Sequence, residues 1–232
     1  MAVRERGILF SAPMVRALLA GTKTQTRRVV KWQGPKGFPH YFDRAFIDSP
    51  AGEPRLCVPY HHPDDLDMGD DGLQAHRHYP PHGQPGDRLW VRETWARDDE
   101  DGCMMYRADV GRCINADAWE QSRHEGAPRY RWRPAIHMPR WASRITLEIT
   151  AVRVERLQDI GEADAIAEGI ERAACEGYWK LYGREANGDA DRSPRVAYRS
   201  LWESINGHGS WQQNPWVWVL EFRRIEASNG ST

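Results

Sequence analysis

Apolar residues recur along this chain with two different periods, and each period predicts a different element. Met14, Ala17 and Leu18 repeat at helical spacing behind Ser11 and Pro13, a helix N-cap residue and a proline suited to the first turn. Gly21 supplies the stop, and "RRVV" reads as a strand leaving that helix. "PGDRLWVRETW" is a turn followed by a strand, with Leu89, Val91 and Glu93 on one face and Trp90, Arg92 and Thr94 on the other. In "SRITLEITAVRVERL", Ile145, Leu147 and Ile149 alternate with polar neighbours; Val152 and Val154 continue after a change of phase, which predicts a bulge near Ala151. "QDIGEADAIAEGI" predicts a short helix with a capping box of Asp159 and Glu162, ended by Gly169. "SPRVAYRSLWESING" repeats the Ser-Pro start and glycine stop, and "PWVWVLEFRRI" is apolar enough for a central strand.

Three segments carry neither period. Residues 33–86 are rich in proline, glycine and histidine, which predicts an irregular, partly mobile insertion. Residues 98–130 form a second excursion, with a hairpin or short helix expected near Ala116 to Arg123, and residues 172–193 a third. Strands separated by irregular loops rather than regular βαβ units point to one domain over 1–232, a mixed or closed β-structure with helices at its edge.

Composition changes this picture little. With 40% hydrophobic and 28% charged residues and a mean hydropathy of -0.74, the chain can build a core under a wet exterior. The longest apolar stretches are too short for a bilayer, and "MAVRERGILFSAPM" lacks a signal-peptide core, so a cytoplasmic protein with no membrane partner is expected. Cys57, Cys103, Cys113 and Cys175 form no CxxC pair, which favours free thiols in a reducing compartment.

Charge changes it more. A net charge of -1 hides local fields: residues 1–31 hold seven Lys/Arg against one acid, residues 123–144 six arginines against one glutamate, and residues 43–71 eight acids against two arginines. The first cluster centres on "LLAGTKTQTRRVV", a helix-to-strand turn crowded with cations and hydroxyls. The second, "APRYRWRPAIHMPRWASR", interleaves arginines with aromatics. Tyr130, Arg131, Trp132, Arg133 and Trp141 are there candidates for stacking bases and holding phosphates, or else a loop packed by its tryptophans with arginines reaching outward. Arg28 and Arg92 are candidates for forked hydrogen bonds to phosphate or a base edge. Ion pairing with Glu93 or Glu148 is the alternative; recognition suits Arg28 better and a structural role suits Arg92. The histidines His61, His62, His76, His78 and His82 lack regular ligand spacing, so no metal and no cofactor is expected.

"AGTKTQTRR" resembles the signature of the ASCH domain family, a PUA-like group of small β-barrels: Gly21, Lys23, Thr26 and Arg28 fall at its glycine, lysine, polar and arginine positions. "GDRLWVRETW", "ITLEITAVRVERLQDIGEADAIAEGI" and "NPWVWVLEFRRI" are similar to later strands and a helix of the family, so that about half of the chain is covered. The three insertions have no counterpart in minimal members, and the layout resembles longer phage and prophage proteins. The resemblance implies a PUA-like β-barrel with peripheral helices. It also implies a pocket lined by Gly21, Lys23, Thr26, Arg27, Arg28 and Glu168 for RNA, DNA or a modified nucleoside. A bacterial member removes the acetyl group of N4-acetylcytidine, and by similarity Lys23 would be base, Thr26 nucleophile and Glu168 acid. The residues alone leave Lys23 and Thr26 open to being a solvated turn, and Glu168 a surface residue opposite the Ala163, Ile166 and Ile170 stripe. A non-catalytic nucleic-acid-binding phage accessory protein and a ribonuclease are the other expectations.

Overall fold

The central place in the fold goes to the most apolar strand of the sequence. In the computed structural model, which describes residues 3–32, 42–48, 54–61, 73–97, 103–109, 131–183 and 188–225, that strand closes a chain of twelve strands and three helices among the described residues. In order these are β1 (Glu5–Leu9), α1 (Ala12–Leu19), β2 (Gln25–Val29), β3 (Phe46–Asp48), β4 (Arg55–His61), β5 (Leu73–His78), β6 (Arg88–Arg92) and β7 (Trp95–Arg97). There follow β8 (Met104–Tyr106), β9 (Thr146–Arg156), α2 (Glu162–Ala167), β10 (Trp179–Lys180), β11 (Ala190–Asp191), α3 (Pro194–Asn206) and β12 (Trp216–Ile225).

The main sheet has the order β1-β6-β9-β12-β2, parallel only between β1 and β6. β12 lies between β9 and β2, with Val217, Trp218, Val219 and Leu220 fully buried, each large aliphatic side chain contributing about 1.5–3 kcal/mol. The change of phase in β9 is a true bulge: Glu221 faces Ala151 while Phe222 faces Ile149, so Thr150 is skipped. Leu89, Val91, Leu147 and Ile149 join Met14, Val15 and Leu18 of α1 and Leu201 of α3 in one core.

The architecture is α+β, mostly strand, but the sheet is not the expected closed barrel. β1 and β2 remain its two edges. What spans the gap is a side chain rather than a ladder: Arg28 Nη2 donates to the Leu9 carbonyl at 2.7 Å.

Other expectations also need correction. The insertion over 33–86 is not wholly irregular, because β3, β4 and β5 form an antiparallel sheet. Two of its apolar residues, Leu56 and Val58, are wholly buried against Val30, Val154 and Trp218. Pro59 is tolerated in the middle strand because β3 pairs only with Arg55 to Cys57, leaving β4 one neighbour at the proline. Residues 98–130 contribute β8, paired with β7; the element expected near Ala116 to Arg123 lies outside the described residues. Residues 172–193 contribute the β10–β11 pair. Asp159 caps no helix, since a 3-10 turn ends there and α2 begins behind Gly161. Ser11 stands at the N-cap of α1 without a side-chain capping bond, whereas Ser193 does accept from Val196 at the start of α3. No helix among the described residues is long and apolar enough to cross a membrane.

Candidate functional site

The turn after α1 and the end of α2 meet because two glycines let them. Gly21, at φ 74°, turns the chain out of α1, and Lys23 then lies in an isolated antiparallel bridge with Glu168. Thr24 N–H donates to the Ala167 carbonyl at 2.9 Å, and the Gln25 side chain donates to the Asp164 carbonyl at 2.8 Å. Gly169 has φ +83°, and a Cβ on it would stand 2.8 Å from Lys23 Cβ and 2.9 Å from Ala17 Cβ. Only glycine combines that backbone with that approach. The residue that ends the helix is thus also the one that admits the lysine.

Lys23 Nζ donates to the Glu168 carbonyl at 2.7 Å and to its Oε2 at 3.0 Å. Arg27 Nη1 donates to Glu168 Oε1 at 3.1 Å, while its other nitrogens reach Glu155 Oε1 at 3.1 Å and Asp164 Oδ2 at 2.8 Å. Lys23, Thr26, Arg27 and Glu168 are each no more than 4% exposed, so Glu168 is not the surface residue its place on the helix suggests. Its position at the C-cap of α2, just past the last helical residue, turns it inward.

Burial sets the electrostatics. It pushes the Lys23 amine below its ordinary pKa, outweighing Glu168, with Arg28 and Arg27 adding to the depression. Arg28 is lowered by burial as well. Burial also acts against the Arg27 charge, but Glu168, Tyr198 and Glu155 more than compensate and raise it. Tyr198 is raised well above 10 by burial and then by Glu168, so its phenol is neutral.

These groups line one cavity of about 430 Å³. Its lining includes Lys23, Thr26, Arg27, Arg28 and Glu168, with Phe10, Thr94, Ala135 and Ile136, and Tyr198, Leu201, Trp202 and Ile205 of α3. Phe10 lies under two cations, 5.4 Å from Lys23 Nζ and 5.3 Å from the Arg28 guanidinium carbon. Among the described residues neither the Thr26 hydroxyl nor the Tyr198 hydroxyl has a hydrogen-bond partner, and Lys23 does not donate to Thr26.

The remaining candidates lie off this cavity. Gly21 shapes the turn only. Arg92 pairs with neither Glu93 nor Glu148: it donates to the Ile136 carbonyl and lies 5.3 Å from the Trp90 ring. Glu93 is taken by Arg144, and Glu148 by Arg223. Arg131 is exposed, and Tyr130 lies outside the described residues. The arginine–aromatic interleaving is spent within the protein, with Arg107 over Trp132 at 5.5 Å and Arg133 over Trp95 at 5.0 Å. Trp141 is the exception, 65% exposed with its ring edge-on to Trp95. No group of three or more His, Cys, Asp or Glu suited to a metal occurs among the described residues; His76 and His78 pack instead with Trp32 and each other. A larger hollow of about 730 Å³ flanks α1 and Trp179, but its acid, Glu171, is half-exposed and already paired with Lys180 at 3.1 Å.

Sequence reading missed Tyr198 and Ile205 as site residues, and it offers Trp202 only as one of four tryptophans that could wall a pocket. Tyr198, Leu201, Trp202 and Ile205 fall at i, i+3, i+4 and i+7, a pattern that announces a core helix but not that the end of the stripe overhangs a cavity. No family model, no curated protein and no solved structure matches this chain, so its residues and their geometry are what argue for its function.

Proposed function

We propose that the cavity binds a modified nucleoside and hydrolyses the amide of an N4-acylated cytosine, in a chain related to the PUA-like ASCH proteins. The observation that carries this reading is the convergence of Lys23, Thr26 and Glu168, 145 positions apart at the extremes, on one cavity of nucleoside size.

A threonine hydroxyl attacks only when a base takes its proton. Lys23, lowered by burial, is the group beside the turn that can hold that proton once it has lost its own. Thr26 Oγ1 adds to the acyl carbon and its proton passes to Lys23; the C–N4 bond breaks as the same proton goes to the leaving amine. Water then opens the Thr26 ester, giving a proton to Lys23, which returns it to the threonine. Both Glu168 oxygens are engaged, one by Lys23 and one by Arg27, so the glutamate fits the role of positioning Lys23 better than that of a proton donor.

The expected result with N4-acetylcytidine is release of cytidine. Thr26→Val should lower the rate by at least about three orders of magnitude, and activity should rise with pH through the depressed lysine pKa. One observation favours a second reading, a non-catalytic nucleic-acid or nucleoside binder: Lys23 donates twice to Glu168 and not to Thr26. Binding without turnover, unaffected by Thr26→Val, decides for that reading.

A further inference from the structure

Four successive residues of β2, Thr26 to Val29, line the cavity. Side chains of consecutive strand residues point to opposite faces, so a cavity touched by all four runs along the strand's edge. The register says which backbone groups it meets. Val30 N–H donates to Trp216 and Phe222 N–H donates to Thr24, so the even-numbered residues of β2 bond to β12. In an antiparallel ladder the intervening residues direct both N–H and C=O the other way. Arg27 and Val29 therefore present their donor and acceptor at the open edge, and among the described residues β2 has no second strand neighbour. Arg27 is 3% exposed, which makes an unmet main-chain pair there costly unless an occupant meets it.

Tyr198 adds a neutral hydroxyl to the cavity lining, on a residue 3% exposed and without a hydrogen-bond partner among the described residues. The mouth is of another character. Leu9, Val29, Ile136 and Ile205 are exposed by 42%, 38%, 56% and 60% and form an aliphatic rim. Polar groups in a line and apolar side chains around them match a flat ring, polar at its edge and apolar on its faces.

We infer that the open edge of β2 reads the hydrogen-bonding edge of a heterocyclic base through the main chain of Arg27, and that Tyr198 is a specificity-determining residue donating to a further acceptor on the same ring. The inference rests on the nucleoside reading above and names how that site chooses its base. For a cytosine, the exocyclic N4–H donates to the peptide carbonyl, the ring N3 accepts from the peptide N–H, and O2 accepts from Tyr198.

The test is a titration of the full chain with N4-methylcytidine and with N4,N4-dimethylcytidine, followed by tryptophan fluorescence, since Trp202 lines the cavity. The first nucleoside keeps one N4–H and the second has none. The dimethyl compound should bind about tenfold weaker or worse, because it leaves the carbonyl unmet. Tyr198→Phe should bind the monomethyl compound roughly three- to tenfold weaker, the loss of one neutral hydrogen bond, with an unchanged melting temperature. Either ratio at unity overturns the inference while leaving the nucleoside reading in place. No binding of cytidine or of either derivative by the wild-type chain overturns both.

Discussion

Two buried ionic clusters in this protein differ in whether anything is left over. At Glu93, which is 2% exposed, the ion pair itself is fully spent: Arg144 grips both carboxylate oxygens at 3.0 and 3.1 Å with Nε and Nη2, holds Asp109 with Nη1 and the shared Nη2, and lies 3.9 Å over the Tyr106 ring. Around Glu168, also buried, Lys23 and Arg27 are equally well paired. There, however, two hydroxyls and a strand edge next to the ion pairs face a cavity with no partner among the described residues. Perturbed charges are common to both, since burial raises Glu93 and lowers Lys23. A buried charge is therefore a poor marker of a site by itself; unspent hydrogen-bonding capacity beside a cavity is the better one.

The comparison can be broken most directly at Glu168. Glu168→Ala takes the carboxylate from Lys23, leaving it only the main-chain carbonyl of residue 168, and takes one of three from Arg27, deep in the protein, and should cost about 3–5 kcal/mol in denaturant unfolding. A loss under about 1 kcal/mol would mean that water in the cavity replaces the carboxylate.

Glu93→Gln should cost less, about 1–3 kcal/mol, because Arg144 keeps Asp109 and is itself partly exposed. It should leave nucleoside binding unchanged. Glu93 also provides a test by pH. Its folded pKa is raised, so its contribution is fully present below the ordinary glutamate pKa of 4.5 and is lost as pH rises through the raised value. The glutamine variant should lack that slope in an unfolding series.

The smallest effect sharpens the open cluster. His82, held by burial and by Arg28 and Arg6, has its pKa lowered to about 4. The folded chain thus binds fewer protons than the unfolded chain between about 4 and 6.5, and stability should fall as pH drops through that window. His82→Gln should flatten the fall by on the order of 1–2 kcal/mol, read from melting curves at pH 7 and pH 4.5.

Legibility in the sequence followed the range of the interaction. Periodicity located α1, β6, β9, α2, α3 and β12, including the bulge at Thr150 and Ala151, because apolar alternation is written in neighbouring residues. It did not find β4, whose apolar residues Leu56 and Val58 gain their burial from Val30, Val154 and Trp218, far away in the chain. The same holds within the site. The Lys23–Thr26–Arg28 turn stood out as a dense polar motif, whereas Tyr198 looked like one more core aromatic.

By itself the sequence determined the helices and strands that carry an apolar period of their own, and that a cationic turn follows the first helix. Those facts come from local spacing and from glycines such as Gly21 that a turn requires. Only the tertiary structure decided that Glu168 is buried against Lys23, that Arg92 stays off the cavity, and that β1 and β2 flank an opening instead of pairing. Each of these depends on which remote groups desolvate or satisfy a side chain, and no stretch of neighbouring residues carries that information.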